Sequence, residues 1–132
     1  MRLLLDTHVW IWSVLEPGRL RKSVAQALRN EENELWLSPI SIWEVSVLAK
    51  KQRIELTEDF HTWISRALSQ TTFREAPLTN EVAIEVSRMR FSHRDPADHL
   101  IAASAKIFDL TLVTADPRLL KLTSQGLAVL KA

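Results

Sequence analysis

The chain has 132 residues, which is the usual size of one domain, and we predict a single domain spanning residues 1–132. Its hydrophobic fraction of 46% and charged fraction of 25% are ordinary for a globular protein. The net charge of +1 is weaker than dedicated nucleic-acid binders usually show. Because there is no cysteine, disulfide frameworks, cysteine-based zinc sites and thiol catalysis are excluded.

Gly18 and Gly126 are the only glycines, which excludes a dinucleotide-binding fingerprint and a P-loop. The apolar N-terminal segment carries Asp6 and His8 where a signal peptide requires an unbroken apolar core. No stretch approaches the roughly 18 uncharged apolar residues of a membrane span. We therefore expect a cytoplasmic protein that does not associate with membranes.

The first half of the chain alternates short apolar runs with helical patterns. Ser38-Pro39 combines a capping residue with a proline at the first helical position, and the lysines at 50 and 51 suit a helix C-terminus. In chain order we predict a strand over 3–5, a helix over 7–15, a helix over 20–29, a strand over 34–38 and a helix over 39–51.

The second half continues the alternation. Asp95-Pro96 repeats the cap-then-proline signature and opens a helix rich in small and apolar residues. Here we predict a helix over 58–69, an edge strand over 72–75, a helix over 79–90, a helix from 95 to 108, a strand over 111–114, a short helix from 116 and a strand over 127–130. The fold class is therefore α/β, with a mostly parallel sheet of about four to five strands flanked by helices on both faces.

Four acids are attached to the carboxyl ends of predicted strands. Asp6 follows the first strand, Asp116 follows the strand at 111–114, Glu44 lies in the helix after the second strand and Asp98 lies in the first turn of the helix after 95. Sites in open parallel sheets form outside the carboxyl ends of the strands, so these acids are expected to converge. Crowded carboxylates repel each other unless a cation neutralises them, and Mg²⁺ or Mn²⁺ prefers such oxygen ligands.

Each acid also has a structural interpretation. Asp6, Asp95 and Asp116 can cap helices, and Asp98 can interact with a helix dipole. Glu44 differs, because its neighbours Ile42, Trp43 and Val45 make the segment look largely buried, and a buried charge needs a partner. Capping and metal binding are compatible at a strand-to-helix corner, so both interpretations stay open.

Four segments in order resemble the motifs of PIN-domain nucleases: LLLDTHVWIW, LSPISIWEV, HRDPADHLIAASA and LVTAD. They are most similar to the small VapC-type toxins of bacterial toxin–antitoxin pairs, and the resemblance covers nearly the whole chain. It implies a three-layer PIN-like fold and an endoribonuclease that hydrolyses RNA phosphodiester bonds with Mg²⁺ or Mn²⁺. It also implies a homodimer and a cognate antitoxin protein whose segment lies over the active cleft.

The resemblance assigns the metal-binding and catalytic acids to Asp6, Glu44, Asp98 and Asp116. Ser41 begins the Ser-x-x-Glu motif that ends at Glu44. Thr114 would orient either a metal-bound water or Asp116. Asp95 is interpreted as a helix cap behind the ligands. The relatives usually carry arginine where this chain has His99, so contacts at that position cannot be carried over.

Arg88, Arg90 and Arg94 form a basic run with His93 before Asp95. The three arginines can contact RNA phosphates, although Arg88 and Arg90 also suit a helix C-terminus. His8 and His93 lie near site residues, and we favour a structural role for both over metal ligation.

Five tryptophans are many for a chain with no tyrosine. Trp10 and Trp12 cannot share one face of a helix. One of the two is expected in the core, and the other can lie in an interface.

Two alternatives remain open at this stage. Other magnesium-dependent α/β enzymes fit poorly, since a dehalogenase-type phosphatase needs a second acid at position 8, where His8 stands. A receiver domain needs paired acids after the first strand and a lysine after a late strand. A non-catalytic interaction module of the same fold would be expected to have lost at least one acid.

Overall fold

A computed structural model describes all residues, 1–132. The fold is a five-stranded sheet with helices on both faces, as the alternating pattern predicted. The strands are β1 (Arg2–Leu5), β2 (Glu34–Leu37), β3 (Phe73–Glu75), β4 (Thr111–Thr114) and β5 (Val129–Lys131). The helices are α1 (Thr7–Leu15), α2 (Lys22–Arg29), α3 (Pro39–Lys50), α4 (Phe60–Gln70), α5 (Asn80–Arg88), α6 (Pro96–Ile107) and α7 (Pro117–Leu120).

The sheet is entirely parallel, in the order β3-β2-β1-β4-β5. Leu3 of β1 aligns with Leu35 of β2 on one side and with Thr111 of β4 on the other. The chain leaves β1 toward β2 and later returns to the opposite side of β1 as β4. The crevice for a ligand in such a sheet lies at this point of reversal, beyond the carboxyl ends of the strands.

Alternate residues of β1 point to opposite faces of the sheet and divide the core into two layers. Leu3 and Leu5 pack with Trp10 of α1 and Trp63 of α4. Leu4 packs on the other face with residues of α5 and α6, including Ile101. Helices therefore cover both faces, which confirms the three-layer prediction. None of these helices is long and apolar enough to cross a membrane.

Several predicted boundaries were wrong by a few residues, each for a local reason. The helix predicted from Leu20 begins at Lys22, because Pro17–Arg19 forms a 3₁₀ turn first. The helix predicted from Glu58 begins at Phe60, because the Asp59 carboxylate accepts the Thr62 backbone N–H as an N-cap. The last strand begins at Val129 rather than Leu127, because Gly126, with φ of 84°, first turns the chain.

Candidate active site

A cleft of about 430 Å³ opens at the carboxyl edge of the sheet, where β1 and β4 end. All four predicted acids line it, although they come from distant parts of the sequence. The lining residues are Asp6, His8, Trp12, Glu44, Asp95, Asp98, Ala115, Asp116, Pro117 and Arg118. The structure therefore brings together the acids that the sequence pattern selected.

Asp6 is the most buried acid of the cleft, with only 5% of its surface exposed. It lies between β1 and α1, and its Oδ2 accepts a hydrogen bond of 2.7 Å from Thr114 Oγ1. Burial raises the pKa of Asp6 from 3.8 to about 6, despite this hydrogen bond. Thr114 was predicted to orient a metal-bound water or Asp116. It accepts the backbone N–H of Asp116 at 3.1 Å, and it also contacts the Asp6 carboxylate, which was not predicted.

Glu44 is half-buried on α3 and is held by a residue that the sequence analysis did not select. The Thr7 hydroxyl donates to Glu44 Oε1 at 2.5 Å and lies 2.8 Å from the Ser41 hydroxyl. Ser41 thus supports Glu44 through Thr7. Burial is the main cause that raises the pKa of Glu44 from 4.5 to about 7, and the neighbouring carboxylates of the cleft add to it.

The segment around Glu44 is less buried than predicted. Val45 is fully buried, but Trp43 is 58% exposed and Ile42 is only half-buried. Only one face of α3 is therefore covered. Glu44 lies at the border of that face and points into the cleft, where it has a partner.

Asp98 lies in the first turn of α6 and is 8% exposed. Its Oδ2 is 2.9 Å from Nε2 of His93, a residue that we had expected to be structural. Burial raises the pKa of Asp98, and the hydrogen bond to His93 opposes that shift. His93, Asp98 and Asp116 offer possible ligand atoms within 4.8 Å of one another. The site therefore contains an imidazole as well as carboxylates.

Asp116 follows β4, and its carboxylate binds both the backbone N–H and the guanidinium of Arg118. Its Oδ1 accepts the backbone N–H of Arg118 at 2.8 Å as the N-cap of α7. The Arg118 guanidinium also pairs with both carboxylate oxygens, at 3.1 and 2.8 Å. This guanidinium lowers the pKa of Asp116. Arg118 was not among the predicted site residues, although an arginine two residues after a capping acid can fold back onto it.

Asp95 caps α6, as predicted, by accepting the backbone N–H of Ala97 at 3.0 Å. It also lines the cleft, close enough to the other acids that its charge contributes to raising the pKa of both Glu44 and Asp98. The capping role is therefore observed, and a place behind the metal ligands remains a prediction.

The basic run before Asp95 lies outside the residues that line the cleft. Arg88 pairs with Glu85 on α5 at 3.5 Å, and the Arg90 backbone is held by the Gln125 side chain. Arg94 is exposed. A role for these arginines in RNA binding remains a prediction.

One of the two tryptophans of α1 lies in the core, as expected, and the other does not. Trp10 is fully buried in the core, and Trp12 is half-buried and lines the cleft. His8 lies one turn before Trp12, with 6.2 Å between the ring centroids, and its side chain is exposed at the cleft. Aromatic surface therefore adjoins the acids.

The donor set fits a hard divalent cation. Carboxylates dominate the cleft, with the imidazoles of His8 and His93 beside them and no thiolate, which suits Mg²⁺ or Mn²⁺ better than structural zinc. The pKa values of Asp6, Glu44 and Asp98 are all raised, so the cluster without a cation resists full ionisation. A bound cation would relieve that repulsion.

The model of the PIN domain family matches residues 3–124. The chain is 36% identical to Ribonuclease VapC22 of Mycobacterium tuberculosis over 118 residues, which are 89% of this chain and 88% of that protein. The crystal structure of FitAcB from Neisseria gonorrhoeae superimposes with a TM-score of 0.69 at 26% identity, covering 98% of this chain and 96% of the other. DNA-bound VapBC from Salmonella typhimurium gives a TM-score of 0.72 at 17% identity, over 99% and 98% of the two chains, and supports the fold alone. With a family match across nearly its whole length, the chain belongs to the PIN domain family.

Proposed function

We propose that this protein is a metal-dependent endoribonuclease, the toxin of a toxin–antitoxin pair. The observation that carries the proposal is the convergence of Asp6, Glu44, Asp98 and Asp116 in one cleft of a PIN domain. The 36% identity to a protein named as a ribonuclease supports RNA as the substrate. Hydrolysis of phosphodiester bonds is the chemistry that such an acidic cleft suits.

We propose Asp6, Glu44, Asp98 and Asp116 as the residues that hold Mg²⁺ or Mn²⁺. When bound, such a cation lowers the pKa of water and offsets the charge that develops on the phosphate oxygens. The protein's contribution is to fix the oxygen donors in advance. Thr114 holds the Asp6 carboxylate, Thr7 holds Glu44, and a backbone N–H fixes Asp116.

The remaining residues of the cleft suit the substrate rather than the cation. Arg118 presents a guanidinium at the rim, which can bind a phosphate of the RNA backbone. Trp12 offers an aromatic surface beside the acids, on which an unpaired base can stack.

An antitoxin protein has an obvious place to bind. A groove of about 960 Å³ runs along α1 and α3 and shares His8, Trp12, Glu44 and Asp95 with the acidic cleft. A partner segment in this groove would cover the acids and keep RNA out. Two structural relatives are described as a member of the VapBC family of toxin–antitoxin systems and as a toxin–antitoxin complex, which supports a protein partner for this chain.

We also propose a homodimer and a cytoplasmic, single-domain protein. Trp43 and Ile84 are exposed at 58% and 52%, and such apolar side chains are typical of protein interfaces. An RNA substrate agrees with a cytoplasmic location. One sheet with a core layer on each face agrees with one domain.

A non-catalytic role is the less favoured proposal, because the chain keeps all four acids of the cleft. Cleavage of purified RNA separates the two. We expect cutting with Mn²⁺ or Mg²⁺, no cutting with EDTA and no cutting by the Asp98→Asn variant. Equal cutting by the wild type and the variant would point to a contaminating nuclease, and no cutting of any RNA would favour the binding role.

A further inference from the structure

His93 lies against the acidic cluster, and its ring is withdrawn from solvent. The side chain is 8% exposed, and its only hydrogen bond is the 2.9 Å contact between Nε2 and Asp98 Oδ2. Its Nδ1 is buried and has no partner. With no competing partner on the ring, Nε2 donates to the Asp98 carboxylate in this structure. If the ring proton moves to Nδ1, Nε2 can present its lone pair to a cation, and no other hydrogen bond of the ring is lost.

The spacing of the three nearest donors suits a shared cation. Two ligands at right angles on an octahedral cation, each about 2.1 Å from it, are about 3 Å apart. The 2.9 Å between His93 Nε2 and Asp98 Oδ2 matches this spacing. One possible ligand atom from each of His93, Asp98 and Asp116 lies within 4.8 Å of the other two.

The backbone that carries His93 is fixed by a second histidine. His99 Nε2 donates to the His93 carbonyl at 2.7 Å. The His99 ring stacks on Phe91, with 3.9 Å between centroids and 15° between planes. It also meets the His93 ring edge-on at 5.4 Å. His93 is therefore held from both its side chain and its backbone, as a ligand residue needs to be.

We infer that His93 is a nitrogen ligand of the metal, together with Asp98 and Asp116, and that it gives the site a preference for Mn²⁺ over Mg²⁺. The inference rests on the proposed function, since it concerns the same cation. Imidazole is a common ligand of transition metals, whereas Mg²⁺ favours oxygen donors. The alternative is that His93 only donates a hydrogen bond to Asp98.

Pulsed electron paramagnetic resonance of Mn²⁺ distinguishes the two roles, because it detects nitrogen bound directly to the ion. We expect a ¹⁴N coupling in untagged wild-type protein, and its replacement by a ¹⁵N coupling when only the histidines carry ¹⁵N. The labelled wild-type protein needs no mutation, so the result does not depend on the folding of a variant. Bound Mn²⁺ without any nitrogen coupling would overturn the inference and leave the proposed nuclease intact.

Two variants then assign the signal. His93→Gln keeps a donor for Asp98 but removes the imidazole, so the coupling should disappear and Mn²⁺ affinity should fall about tenfold, with a smaller change for Mg²⁺. His8→Gln, the other histidine of the cleft, should keep the coupling. A coupling that survives in His93→Gln overturns the assignment. A failure of the wild type to bind any divalent ion would instead contradict the proposed function.

Discussion

Thr114 Oγ1 donates a hydrogen bond of 2.7 Å to Asp6 Oδ2 and joins two residues that are 108 positions apart in the sequence. The same oxygen accepts the backbone N–H of Asp116. The side chains of Thr114 and Asp6 are almost fully buried. One hydroxyl therefore positions two acids of the cleft, one at the end of β1 and the other just after β4.

Replacing this hydroxyl by a methyl group, in Thr114→Val, should impair both acids. The pKa of Asp6 should rise above its value of about 6, because the hydrogen bond that opposes the effect of burial is lost. We expect a loss of about 1–3 kcal/mol in the free energy of unfolding and at least tenfold weaker metal binding. Denaturant unfolding and metal titration measure these effects. Thr111→Val, at the other end of the same strand, is the matched control and should change metal binding little.

The Asp98→Asn variant should lose nuclease activity but keep its thermal stability. Removal of one crowded carboxylate relieves repulsion, so the Tm of the metal-free protein should hold or rise while nuclease activity is lost. The rise in Tm that Mn²⁺ gives the wild type should largely disappear. Asp95→Asn is the control, because asparagine still caps α6, and its effect should be mild. Near-wild-type cleavage by both Asp98→Asn and Asp6→Asn would sink the site assignment.

The raised pKa values predict an unusual pH dependence for the metal-free protein. Asp6 and Glu44 titrate at about 6 and 7 in the folded state, against 3.8 and 4.5 ordinarily. The folded state therefore binds protons more tightly than the unfolded state in this range. The contribution of these two carboxyl groups to the free energy of unfolding is therefore fully present below about pH 4, and it is lost as pH rises through 7. For Asp6 alone, this contribution to the free energy of unfolding is on the order of 3 kcal/mol.

Thermal melting in EDTA between about pH 5 and pH 7.5 tests this dependence. We expect the Tm to fall with rising pH, and to fall less in Glu44→Gln. The lowered pKa of Asp116 acts in the opposite direction but only at more acidic pH. Metal affinity should rise over the same pH range, because the ligands must be ionised. A Tm that climbs steadily toward pH 7.5 would contradict the raised values.

We expect Arg118 to weaken the binding of the metal and to strengthen the binding of the RNA substrate. Its guanidinium lies 2.8 Å from Asp116 Oδ2, so Arg118→Ala removes a positive charge from the cleft. We expect Mn²⁺ to bind about two- to fivefold more tightly, while KM for RNA increases. Arg88→Ala, outside the cleft, is the comparison. A larger RNA defect in Arg88→Ala than in Arg118→Ala would favour the basic run as the phosphate-binding surface.

The sequence was sufficient to predict the sheet, the layers and the four acids of the cleft. Asp6 and Asp116 sit at strand-to-helix corners, and the Asp116-Pro117 signal is strong. Asp98 lies in the first turn of α6, which the equally strong Asp95-Pro96 signal opens. In a parallel sheet these corners meet at one edge. The positions of Asp6 and Asp116 at this edge can therefore be predicted from local sequence patterns, even when no side-chain contact is known.

The supporting contacts could not be predicted in the same way. The Thr7–Glu44 hydrogen bond links α1 to α3 and depends on how the two helices pack. His93 has no local pattern that distinguishes a ring pointing at Asp98 from one in a solvated loop. Trp43 looked buried because it is apolar, but helix rotation decides which face is covered. Such details depend on tertiary packing, which periodicity does not specify.

The central place of β1 in the sheet has a consequence for the time at which the protein becomes active during its synthesis. β1 is made before the other four strands, yet its partner β4 and the acid beyond it follow only after three of the strands and six of the helices. A nascent chain that has not yet reached Thr114 has no hydroxyl to hold Asp6 and no Asp116. Pairing strands so far apart in sequence is also slow. Translation therefore delays the assembly of the cleft until the residues up to Asp116 have been made, and the proposed binding of metal and cleavage of RNA can follow only then.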